Sequence, residues 1–152
     1  FHADLFVSIH LNSSENSSSR GVMTFVLDSS RDTAASQIAA RENSSTAAAA
    51  AELATSLSRI ESSDRRAASE LLAGLLQRSA GASLRQGFSE IEDHGVRRAG
   101  FYVLAGAVMP AVLFEGSFIS NPIEADRLNS EAYRQRLADA IVNAVRAYRQ
   151  GL

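Results

Sequence analysis

Ala111–Pro122 reads AVLFEGSFISNP, an apolar run that arrives at a lone glutamate. Ala111, Val112, Leu113 and Phe114 have the composition of a strand buried on both faces. Gly116, Ser117 and Asn121-Pro122 are turn chemistry. A carboxylate carried to the end of such a strand costs several kcal/mol unless it is paired or put to use. Glu115 is therefore the residue around which the rest of the chain is read.

Three further stretches have strand character. Leu5–His10 (LFVSIH) is dense in β-branched and aromatic residues and stops at Asn12-Ser13-Ser14. Gly21–Asp28 (GVMTFVLD) follows a serine-rich surface loop, and Phe101–Leu104 is read as the third strand, ahead of Ala111–Glu115. Residues 32–92 differ in composition, being rich in Ala, Ser, Leu, Arg and Glu without proline. Two helices are expected there. One runs from about Thr33 to Leu57, mostly alanine and so weakly held, with a low-complexity linker as the competing reading. The second is capped by Asp64 and places Ala68, Leu71, Leu72, Leu75 and Leu76 on its apolar side. At the end of the chain, Asn121 caps a short helix with Pro122 first and Glu124 three residues on. Glu131–Gln150 then carries Tyr133, Leu137, Ile141, Val145 and Tyr148 on one stripe, stopped by Gly151. Strands interleaved with helices predict an α/β domain, a layered, mostly parallel or mixed sheet flanked by helices with a helical insertion.

Composition sets the bounds. The 152 residues suffice for one domain with a real core. A formal charge of −2 and an apolar fraction of 45% point to neither nucleic acid nor an anionic membrane. No apolar run is long enough for a membrane span. All fifteen basic residues are arginine, which removes lysine chemistry, and the absence of cysteine removes thiolate ligands and nucleophiles. The chain opens almost directly on a strand, without an initiator methionine, signal peptide or leading turn, and is expected to be cut from a longer one.

His10 and Glu115 each stand at the end of an apolar strand, before a polar loop. Ligands gather at the carboxyl ends of strands in open α/β sheets, so two parallel strands would face both side chains into one cleft. Imidazole and carboxylate are standard zinc ligands, or a general-base pair around the metal. A satisfied structural histidine is the competing reading of His10. His2, at the other end of the same strand, is too far away to share a metal with it. His94 is read as a solvated loop histidine, and Glu90, Glu92 and Asp93 as a helix-end surface patch on the side of the sheet away from the cleft.

The flanking motifs ADLFVSIHLN (Ala3–Asn12) and MPAVLFEGSFISNP (Met109–Pro122) resemble signatures of the zinc-dependent N-acetylmuramoyl-L-alanine amidases, the cell-separation type that trims peptidoglycan. GVRRAGFYVLAG (Gly95–Gly106) and the final helix are similar too, so the resemblance spans essentially the chain and is loosest over residues 32–92. It implies that His10 is a zinc ligand and Glu115 the catalytic carboxylate. It also implies an earlier histidine in a His-Gly-Gly-like turn and a further glutamate, neither of which can be placed in the nine residues before His10. Residues 1–152 are accordingly expected to be the C-terminal portion of an amidase catalytic domain, inactive and nearly metal-free in isolation.

The same resemblance implies a peptidoglycan substrate, a periplasmic or extracellular location, and cleavage of the amide between N-acetylmuramic acid and L-alanine. In a subclass, a helix inserted at 32–92 blocks the cleft until an activator protein binds and removes it. ASQIAARENSS (Ala35–Ser45) looks like that segment. Glu42 is read first as a solvated helix glutamate, with an autoinhibitory plug over an open zinc position as the alternative. The rival to a hydrolase is a catalytically silent module that binds peptidoglycan or a partner.

Overall fold

A computed structural model describes residues 2–28, 32–44, 52 and 63–151 of the protein. Four strands, β1 (Phe6–Asn12), β2 (Val22–Leu27), β3 (Asp93–Ala99) and β4 (Ala111–Phe118), form one sheet in the order β1-β4-β2-β3. β1 runs parallel to β4 and β3 parallel to β2, whereas β2 and β4 are antiparallel. The mixed sheet of the sequence reading is present. β4 is central, and every one of its residues is buried, as the apolar run Ala111–Phe114 requires.

Helices cover both faces. On one lie α2 (Ser63–Arg85) and α4 (Glu131–Gln150), which bury Leu72, Leu76, Leu84, Tyr133 and Tyr148 against Val22, Val26, Val112 and Phe114. On the other lies α1 (Thr33–Glu42), whose Ala35, Ile38 and Ala39 pack with Phe25, Phe101 and Leu113. The two helices of residues 32–92 lie on opposite faces of the sheet. The leucine-bearing helix is a structural layer of the core, and only the alanine-bearing helix sits on the opposite face. Leu71, assigned to the apolar side of α2, is 46% exposed, and Asp64 stands within the first turn instead of before it. Asp32 caps α1 by accepting from the Ala34 and Ala35 amides, and Asn43 closes it at the C-terminus. The expected continuation to Leu57, with the alanine run 47–51, falls outside the described residues.

The third strand lies earlier than the sequence suggests. Phe101–Leu104 is not a strand: Tyr102–Leu104 forms a 3-10 turn that buries Phe101 and Leu104 while Tyr102 and Val103 stay half exposed. Three-residue spacing of the buried pair fits that turn and not the alternation of a strand. β3 is instead the charged stretch DHGVRRA, an edge strand whose Arg97 pairs with Asp32 (2.5 Å) and whose Arg98 pairs with Glu70. His94 is consequently a strand residue. Its Nε2 lies 2.7 Å from the Arg20 carbonyl and its ring meets the edge of Phe118.

α3 (Pro122–Asn129) begins as expected, with the Asn121 side chain accepting from Ile123 and Glu124 amides. The Glu124 side chain turns inward, however, and is fully buried. Its two oxygens accept from the Gly21 amide (2.8 Å), the Ser117 hydroxyl (3.0 Å) and the Phe118 amide (2.6 Å). This carboxylate ties the start of β2 to the end of β4. Gly21 has φ +105°, and a Cβ there would stand 2.2 Å from the Glu92 carbonyl oxygen, so no other residue fits the tie. Glu124→Ala takes the carboxylate from the Gly21 and Phe118 amides and leaves the Ser117 hydroxyl with Tyr133 alone, and should cost on the order of 3 kcal/mol in urea denaturation. A loss under about 1 kcal/mol would show that the tie is dispensable.

Candidate active site

The ladder between β1 and β4 sets His10 directly opposite Glu115, and the antiparallel ladder sets Met23 on the other side of that glutamate. Parallel neighbours present aligned residues on the same face, so His10 and Glu115 meet as the sequence reading anticipated. Neither is the last residue of its strand, since β1 continues to Asn12 and β4 to Phe118. A register irregularity between His10 and Asn12 lets the chain turn there. The Asn12 carbonyl accepts from the Ile119 amide (2.8 Å), and its buried side chain donates towards the Met23 sulfur. That asparagine is structural.

The His10 ring is held at both nitrogens. Nε2 lies 2.8 Å from the Ser8 hydroxyl and Nδ1 lies 2.8 Å from Glu42 Oε2. A hydroxyl can donate or accept, so Ser8 fits either ring tautomer. Ser8 was not singled out from the sequence, although its position two residues before His10 puts it on the same face of the strand. Glu42 is more than a solvated helix residue. It stands in the last turn of α1 and spans 32 residues of sequence to reach the histidine.

Glu115 is in a different state. Its side chain is fully buried, and neither carboxylate oxygen has a hydrogen-bond partner among the described residues. Burial first, and the nearby Glu42 carboxylate second, push its pKa up to about 8, against a smaller opposing pull from Arg41. One ligand atom from each of His10, Glu42 and Glu115 falls within 4.8 Å of the others. An imidazole and two carboxylates converging on one point, one of them unpartnered and disfavoured as an anion, form a donor set that suits a divalent cation. His2 and His94 are not part of the group.

β3 runs parallel to β2, so its first residues lie at the same end of the sheet as the carboxyl ends of β1 and β4. Glu90 and Glu92 thus sit towards the site end, not away from it, and both bind Arg20 (2.7 and 2.8 Å). A cleft of about 360 Å³ beside the site is lined by Glu15, Met23, Arg41, His94 and Phe118, among others. A larger groove of about 880 Å³, bounded by Asp4, Leu5, Pro110 and Tyr148, lies at the opposite end of β1 and β4.

Residues 1–147 match the N-acetylmuramoyl-L-alanine amidase family (Amidase_3). The chain belongs to that family. Members of the amidase family are generally metal-dependent. One relative, the uncharacterized protein YqiI of Bacillus subtilis (strain 168), is 36% identical over 146 residues, covering 96% of this chain and 52% of its own length. N-acetylmuramoyl-L-alanine amidase AmiC of Neisseria meningitidis serogroup B is 30% identical over 159 residues, covering 96% and 36% respectively. The chain thus spans about half, or less, of the length of these curated relatives. The crystal structure of an N-acetylmuramoyl-L-alanine amidase from Clostridium difficile 630 shares the amidase fold, with a TM-score of 0.66 at 25% identity over 97% of this chain and 59% of that one.

The raised pKa of Glu115 has a consequence for stability. A carboxyl whose folded pKa exceeds its ordinary value favours the native state at low pH, and that contribution disappears as pH rises from about 4.5 to about 8. With cations chelated, the protein should therefore lose stability across this window, by on the order of 4 kcal/mol at full titration. Glu115→Gln carries no such charge, so urea midpoints at pH 5 and pH 8 should converge in the variant and differ in the parent. Equal pH dependence in both proteins would mean that Glu115 is solvated or already compensated.

Proposed function

We propose that this chain is the catalytic part of a zinc-dependent N-acetylmuramoyl-L-alanine amidase. The observation that carries the reading is Glu115, buried with both oxygens unpartnered and locked in register beside His10 in a chain of the amidase family. The substrate is the amide joining the lactyl group of N-acetylmuramic acid to L-alanine of the stem peptide. His10 would hold the zinc through its imidazole, and Glu42 would offer a carboxylate beside it. Zinc held there would supply Lewis acidity to the scissile carbonyl and to the attacking water.

The protein's own contribution is proton transfer and placement. Glu115 takes a proton from the water as its oxygen adds to the carbonyl carbon. It then delivers that proton to the nitrogen as the carbon–nitrogen bond breaks, leaving a lactyl carboxylate and a free L-alanine amine. A pKa raised by burial favours both halves of the cycle, because the group gains and loses a proton near neutral pH. Ser8 keeps the imidazole oriented throughout.

Glu42 serves as an autoinhibitory plug in this reading. Its carboxylate lies on His10 Nδ1, at the entrance a substrate carbonyl would need, and its charge opposes ionisation of Glu115. An activator protein that draws α1 away would open the site. Peptidoglycan lies outside the cytoplasmic membrane, which places the enzyme in the periplasm or outside the cell, with a role in wall remodelling and daughter-cell separation. No helix among the described residues is long and apolar enough to cross a membrane.

In the full-length enzyme, Glu115→Gln should lower release of stem peptide from purified peptidoglycan by roughly 10²-fold or more while the protein keeps its zinc and its fold. Undiminished hydrolysis would remove Glu115 from the mechanism, and no hydrolysis by the full-length parent with retained sacculus binding would favour the silent-module reading. His10→Ala should lower zinc stoichiometry in elemental analysis, an effect that a purely structural histidine would not produce. Glu42→Ala should raise the hydrolytic rate.

A further inference from the structure

Apolar packing gives α1 only part of its hold on the sheet. Its buried side chains are Ala35, Ile38, Ala39 and Ala40, and only the isoleucine has appreciable area. The helix is also tied by polar groups at its two ends. At its start, Asp32 caps the first turn and pairs with Arg97 of β3. At its end, immediately after Glu42, the Asn43 side chain spans the connection between β3 and β4. Its Nδ2 donates to the Gly100 carbonyl (2.6 Å) and its Oδ1 accepts from the Tyr102 amide (2.8 Å).

This second tie has the chemistry of a clasp. The primary amide of Asn43 satisfies one main-chain acceptor and one main-chain donor at once, as a passing peptide group would. The backbone it grips is firm, because Phe101 between the two contacts is fully buried and packs on Phe25 with ring centroids 4.8 Å apart. The helix end is equally defined. The Asn43 main-chain amide donates to the Ala39 carbonyl and the Ser44 amide to the Arg41 carbonyl, and Ser44 leaves in the left-handed region at φ +50°. Glu42 has little freedom between the clasp and the last helical turn, so its carboxylate is delivered to His10 Nδ1. Each hydrogen bond is modest in net terms, which makes the closure strong enough to hold and weak enough to release.

We propose that Asn43 is the positioning residue that keeps Glu42 over His10 and Glu115, so that the side-chain clasp on Gly100 and Tyr102 sets whether the site is covered. The proposal rests on the reading of Glu42 as a plug. It assigns the closed state to a residue that touches neither metal nor substrate, and it places the point of release on the exposed β3–β4 connection, away from the reacting atoms.

Hydrogen exchange of the α1 amides and the rate at which diethyl pyrocarbonate acylates His10, mapped by mass spectrometry, test the two parts separately. Asn43→Ala removes both contacts. Asn43→Asp keeps the acceptor for Tyr102 but sets a carboxylate against the Gly100 carbonyl. Either variant should raise α1 exchange about tenfold, with α2 and α4 unchanged, and should speed His10 acylation to the rate of Glu42→Ala. The double variant Asn43→Ala/Glu42→Ala should be no faster than Glu42→Ala alone, because the clasp acts through the plug. Gln37→Ala, on an exposed position of the same helix, should change neither readout. Parent-like exchange and acylation in both Asn43 variants would overturn the clasp, as would additive acylation rates in the double variant. If Asn43→Ala loosens α1 while Glu42→Ala leaves His10 acylation at the parent rate, the plug reading fails and the cover over His10 falls with it, leaving Asn43 as a helix anchor only.

Discussion

The parallel pairing of β1 with β4 is the constraint on which the rest of the molecule turns. It fixes His10 opposite Glu115, and a slip of one residue would send one of the two side chains to the other face. The register is held from both ends of the ladder. The Phe6 amide donates to the Pro110 carbonyl at one end, and the Ile119 amide donates to the Asn12 carbonyl at the other. The antiparallel β2 closes the remaining side of β4, which leaves the Glu115 side chain buried between its two neighbouring strands. Isolation of that carboxylate follows from strand order, and its raised pKa follows from the isolation.

Two buried glutamates, nine residues apart in sequence, show how differently the same group can be used. Glu124 is given three donors and becomes a fixed joint between β2 and β4. Glu115 is given none among the described residues. The first arrangement lowers the cost of burial to what a structural tie can bear, whereas the second leaves the cost standing. A folded chain tolerates such an unmet group where a ligand or a reaction later meets it, and residues so perturbed concentrate at functional sites. Together with membership of the amidase family, the contrast is the ground on which Glu115, not Glu124, is proposed as the chemical group.

The helices on the two faces have unequal holds. α2 and α4 bury leucines and tyrosines against the sheet and act as its permanent cover. α1 contributes mainly alanines and is retained by an ion pair, a cap and a side-chain amide. Hydrophobic burial is non-directional and scales with area, while hydrogen bonds are directional and individually small. The face that carries His10 and Glu115 is therefore covered by the element that is easiest to displace.

Much of this was legible from residue order alone. The apolar run Ala111–Phe114 defined the central strand, Asn121-Pro122 defined a helix start, and the periodicity of Tyr133, Leu137, Ile141 and Tyr148 defined the final helix, because these signals are local and depend on backbone propensity. His10 and Glu115 could be named as candidates because each ends an apolar run in the sequence. The third strand was misplaced because FYVL carries strand-like composition, yet its buried pair Phe101 and Leu104 has the spacing of a tight turn. DHGVRRA was missed because its charged residues lack strand-like composition; it pairs through the parallel ladder with β2, and its arginines meet Asp32, Glu70 and Asp28. The contacts of Glu42 with His10, of Asn43 with Gly100 and Tyr102, and of Glu124 with Gly21 join residues 32, 57, 59 and 103 positions apart. No propensity or period encodes such pairs. Local sequence determined which segments became strands and helices, and only the tertiary structure decided which polar groups were left to meet inside it, because that depends on the strand order and on which face each helix covers.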